Sequence, residues 1–90
     1  MAPARSPVPQ EVDEELRRVV RRWQQLPLDH ALACMPAVQG LLRDLAGRAV
    51  PDLGPAVAMD QLAVLVYDAC AAGDQDGLAD SLQRLRAGLA

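Results

Sequence analysis

Phenylalanine, isoleucine, threonine, asparagine and lysine do not occur among the 90 residues, and the aromatics are limited to Trp23 and Tyr67. A core must therefore be assembled from Leu, Val and Ala. Ala and Leu head the helix-propensity ranking, while strands favour the β-branched and aromatic residues that are scarce here. A β-sandwich is excluded on that ground. Without lysine there is no amine for Schiff-base chemistry and no phosphate-loop cation, and the glycines form no phosphate-cradling loop. Serine occurs only as Ser6 and Ser81. Two cysteines, Cys34 and Cys70, do not make the disulfide framework that small secreted domains use, so the cytoplasm is the expected location. The opening MAPARSPVPQ holds no hydrophobic run of the signal-peptide kind. The most apolar stretch, 56–72, carries Asp60, Gln61 and Asp68. It is also shorter than the roughly 20 apolar residues needed to cross a bilayer. Cationic surplus is missing too: 9 cations face 12 acids, for a net charge of −3. Neither nucleic acid nor an anionic membrane is an expected partner.

What is present is a globular composition, with 51% hydrophobic and 23% charged residues. The length suits one domain. The fold class expected is all-α: a single-domain bundle of four or five short helices over residues 10–90, behind a flexible proline-rich tail at 1–9. The first helix is the clearest. Val12, Leu16, Val19, Val20, Trp23 and Leu26 fall within an arc of ~120° at helical pitch, and Pro27 ends the run. Acids precede Arg17, Arg18, Arg21 and Arg22, matching the helix dipole, and Asp13–Arg17 and Glu14–Arg18 are spaced for ion pairing.

A short segment at 28–35 follows, with Leu28, Ala31, Leu32 and Met35 on one side. Pro36 either kinks it or opens a third helix to about Arg48, with Val38, Leu41, Leu42, Leu45 and Ala49 inward. Residues 50–55 read as a loop. The helix at 55–72 has an apolar arc of ~200°, including Leu62, Leu65 and Val66, which predicts a central helix touching several neighbours. Gly73 is its expected C-cap, and Asp74 or Asp76 the N-cap of a last helix. In that last helix Leu78, Leu82, Leu85 and Leu89 repeat with 4-3-4 spacing, a narrow seam for one partner helix.

Each chemical motif is opposed by a plainer reading. The four arginines of the first helix fit a solvated, ion-paired face, since no stacking aromatics are interleaved with them. A helix-turn-helix drawn over 28–45 would begin its second helix with Pro36, Ala37 and Val38, where base reading needs polar side chains. Asp74-Gln75-Asp76-Gly77 echoes a calcium loop, but aligning Gly77 with its glycine puts Ala72 and Gln83 at the essential carboxylate positions. His30 and Cys34, four residues apart, could supply a thiolate nucleophile or two metal ligands. No third ligand, orienting group or oxyanion site accompanies them, and two isolated helix residues are the plainer reading.

Asp80-Ser81-Leu82 resembles the attachment tripeptide of acyl and peptidyl carrier proteins. The resemblance covers three positions and implies phosphopantetheine on Ser81 at the start of a second helix, with two more helices downstream. Only eight residues follow Leu82, and Ser81 reads as an ordinary mid-helix residue, so a chance match is the expectation.

The function expected is therefore non-catalytic, with no cofactor and no metal: a small helical protein-interaction or regulatory module, able to self-associate. Leu78, Leu82, Leu85 and Leu89 are the candidate contact residues. Val57 and Val64 join them, set between Asp60 and Asp68 on the otherwise polar strip of the long apolar helix. Those valines are either covered by the first helix or the tail, or they form a partner-facing patch. The alternative is a ligand-binding or thiol-dependent role for His30 and Cys34.

Overall fold

The acid-then-base segment winds into α1 (Gln10–Gln24), which buries Val12, Val19 and Trp23. Leu16, Val20 and Leu26 lie half-buried beside them. This computed structural model describes residues 6–89, and no strand occurs among them. Of the expected tail, residues 1–5 lie outside the described residues, whereas Val8 packs half-buried against the core. Arg17 pairs with Asp13 at 2.8 Å as its spacing predicts. Arg18 instead takes Glu15 at 2.8 Å, and Glu14 accepts a hydrogen bond from Gln10.

The bundle has four helices rather than five, because α2 (Leu28–Ala46) runs unbroken through Pro36. An interior proline removes one backbone hydrogen bond and crowds the carbonyl four residues back, at about 3 kcal/mol. Pro36 and Leu32 are both exposed, so the freed carbonyl lies on the solvent side. Burial of Met35, Val38 and Leu42 on the opposite face offsets the cost, at roughly 1.5–3 kcal/mol for each large aliphatic side chain. The buried stripe is Ala31, Met35, Val38 and Leu42. Leu28 and Leu32, expected inside, face solvent, and so does Ala49.

Helix α3 spans Pro55–Ala71 and α4 spans Leu78–Gly88. The turn between them is a glycine-ended cap: Gly73, at φ 81°, lets its N–H reach the Cys70 carbonyl and that of Asp74 reach Ala69 at 2.8 Å. The start of α4 departs from expectation. Gly77, left-handed at φ 72°, holds the N-cap position, and neither Asp74 nor Asp76 caps it. Among the described residues no helix has a side-chain N-cap; the capping positions are Pro9, Pro27, Gly54 and Gly77.

Packing pairs the first helix with the last. α1 lies chiefly on α4, and α2 on α3; thinner α2–α4 and α1–α3 contacts join the two pairs. The α1–α4 seam absorbs Leu78, Leu82, Leu85 and Leu89, which are at most 8% exposed. Glu15 bridges Arg18 and, at 3.3 Å, Arg86 at its edge. The Trp23 indole N–H donates to the Pro55 carbonyl at 3.0 Å, tying the end of α1 to the start of α3. The long apolar helix is thus not central: its solvent-facing half is left uncovered.

Leu62 and Leu82 are both fully buried. Replacing either with Ala should cost about 2–5 kcal/mol, through lost burial and an unfilled cavity, and Leu65→Ala less because Leu65 is half-buried. Urea titration followed by circular dichroism measures all three. Leu82→Asp should lose its helical signal outright, since a carboxylate in that seam has no partner.

Candidate functional site

Helices hydrophobic on every side normally lie in the middle of a protein. α3 buries Ala58, Met59, Leu62, Val66, Ala69 and Cys70 on one side only. Its other side exposes Ala56, Asp60, Ala63, Val64, Tyr67, Asp68 and Ala71. Val64 is 60% and Tyr67 51% exposed, so apolar side chains face water where an amphipathic helix would carry charge. Of the two readings open for Val57 and Val64, cover by the first helix does not hold for Val64, which stays 60% exposed. Val57 is half-buried and lines a groove together with Val64.

This face is the ridge between two apolar grooves. The larger, about 730 Å³, runs between the end of α1, the start of α2 and the start of α3. Trp23, Leu26, Leu28, Leu53, Met59 and Ala63 are among its walls, and Asp60 is its only charged lining residue. The smaller, about 330 Å³, lies on the other flank, with Val50, Pro51, Val57, Val64 and Leu65 as apolar walls and Arg48 and Asp60 as charged ones. Asp60 therefore edges both. The 47–54 connection shapes both grooves as well, contributing Leu53 to the first and Pro51 to the second. Its position is fixed by the Gln61 amide donating to the Pro51 carbonyl at 3.0 Å and by the Gly54 N–H donating to the Asp52 carboxylate at 2.9 Å. The groove walls are thus held before anything binds, which lowers the ordering cost of docking.

The other sequence candidates sit elsewhere. Leu78, Leu82, Leu85 and Leu89 present no free surface, since the α1–α4 seam consumes them. Ser81 lies half-buried in the first turn of α4 rather than mid-helix, its N–H bonded to the Gly77 carbonyl at 3.0 Å. Cys34 packs half-buried against the core, on the inward side of α2, while Leu28 and Leu32 point outward. Among the described residues no three His, Cys, Asp or Glu side chains gather as metal ligands. Cys70 is buried in α3, and burial pushes its thiol above the ordinary value. The periodicity of the sequence missed Leu28 and Leu53 as site residues, because the walls come from separate segments brought together only by folding.

Comparison with known protein families, with curated proteins and with solved structures finds no match. Among the described residues no helix is long and apolar enough to cross a membrane.

Because Val64 and Tyr67 contribute little to the core, Val64→Ser and Tyr67→Ser should each change stability by no more than about 0.5 kcal/mol, in contrast to Leu62→Ala. Thermal unfolding of the single variants tests this. Native-state labelling with a thiol reagent should modify Cys34 well before Cys70, whose buried thiol resists both access and ionisation; peptide mapping at successive times reads the order.

Proposed function

We propose that the protein is a small, non-catalytic interaction module that acts in the cytoplasm and docks a protein partner on the outward face of α3. The observation that carries this reading is the exposed apolar strip of Val64, Tyr67, Ala56 and Ala63, flanked on each side by a preformed groove. Monomeric proteins scatter single exposed apolar residues over their surface, whereas apolar side chains gathered on one face between two hollows mark a contact surface. Of the five large exposed apolar side chains, Leu28 and Leu53 line the larger groove, Val64 lines the smaller, and Tyr67 stands on the exposed face of α3. Recognition of this type places the apolar side of one helix into a groove, anchored at i, i+3, i+4 and i+7.

Catalysis has less to support it. The grooves hold few groups able to move a proton or attack a carbon: Asp60 stands alone in the larger, and His30 and Cys34 line neither. The paired leucine seam, an alternative contact surface on sequence grounds, is replaced in this reading by the valines and their neighbours.

A photo-crosslinking amino acid introduced at Val64 in the intact chain should give a discrete heterotypic adduct in cells. The same group at Gln83, exposed on α4, should give none. Equal, diffuse labelling from the two positions would remove the reading.

A further inference from the structure

We infer that the occupant of the larger groove is a basic amphipathic helix of another protein, with arginine or lysine bordering its apolar face. This rests on the docking surface proposed above and adds the chemistry of what docks there. The ground is charge segregation. From Ala49 to Gln83 the chain carries Asp52, Asp60, Asp68, Asp74, Asp76 and Asp80 and no cation at all. That stretch supplies the whole of α3 and the 49–54 part of the connection that walls the grooves. Asp60 stands in the larger groove, and Asp52 is the neighbour in sequence of its wall residue Leu53. Asp29 is likewise the neighbour of Leu28, on the opposite wall, and is exposed.

Cations collect elsewhere. Arg21 and Arg22, although next in sequence to the wall residues Val20 and Trp23, line with Arg18 and Arg86 a separate hollow between α1 and α4. One arginine, Arg48, edges the smaller groove, which is why the larger is the favoured seat. Potentials of one sign over an apolar surface select a partner of the other sign and reject like-charged ones.

The same charges set aside a second copy of this chain. In a two-fold dimer each patch meets its own copy, so Asp60 and Asp68 would be brought against like charge. A head-to-tail contact through the cations of α1 would present Glu14, Arg17, Arg18 and Arg21, which are exposed with no exposed apolar side chain among them to fill a groove. A partner helix can approach α3 closely because Ala56 and Ala63, two turns apart on its flank, project only methyl groups. Its apolar anchors then reach toward Trp23 and Met59, while its cations meet Asp60.

Trp23, the only tryptophan, lines this groove, so its emission reports occupancy directly. The probe is a designed 18-residue helical peptide without tryptophan, with leucines at i, i+3, i+4 and i+7 and arginines bordering them. A second peptide has glutamate for every arginine. The arginine peptide should shift Trp23 emission saturably and bind at least tenfold more tightly than the glutamate peptide. Its affinity should fall as salt is raised. Asp60→Arg should reverse the preference, Ala63→Arg should abolish binding of both, and Gln83→Arg should change nothing; far-UV circular dichroism confirms that each variant is folded.

Equal or tighter binding of the glutamate peptide, lost in Ala63→Arg, would overturn the basic partner and leave the docking face standing. Failure of both peptides to bind would overturn the face as well. A wild-type chain that sediments as a dimer, and becomes monomeric in Ala63→Arg, would replace the basic helix with a second copy.

Discussion

Everything else in this molecule depends on the contact between its first and last helices. α4 has 11 residues, a length that is marginal as an isolated helix. It has one apolar stripe and a charged remainder, so it needs a single complementary groove. α1 supplies it from a face no wider. Burying Leu78, Leu82, Leu85 and Leu89 there uses the hydrophobic capacity of both helices at once. The chain must bring its ends together to do so, and the loop-closure entropy is offset only when the seam forms as a unit.

That closure decides the fate of α3. With α1 occupied by α4, only α2 remains as a full neighbour for the most apolar helix in the chain, and one neighbour covers about half of its circumference. The other half faces water. Trp23 secures the arrangement from one corner, its ring lying against the start of α3 and its N–H satisfied by the Pro55 carbonyl. The two grooves are the hollows left where a four-helix bundle with unequal pairings fails to fill space around its third helix.

Some of this was legible in the residues and some was not. The 3.6-residue rhythm of Val12, Val19 and Trp23 placed α1, and Gly73 placed the end of α3, because periodicity and left-handed caps are local properties. Pro36 left two readings open, a kink within one helix or the start of a new one, and the packing of Met35, Val38 and Leu42 decided for one helix running through it. Val57 and Val64 were visible as oddities on a strip that ought to be polar. Leu28 and Leu53 were not, since nothing in their own neighbourhoods distinguishes a core leucine from one in a groove wall.

By itself the sequence determined the class, four or five amphipathic or apolar helices with a Leu/Val/Ala interior, and it determined that every charged residue from 49 to 83 is an acid. Composition and period are sufficient for that, because each helix forms from its own hydrogen bonds and needs only one apolar side to be buried. Which apolar side meets which was decided in three dimensions. The leucine seam could have met α3, a second chain or α1, and the wide arc of α3 could have been surrounded. Pairing α1 with α4 removed those possibilities together, and so left an acidic, apolar helix face as the surface this protein presents.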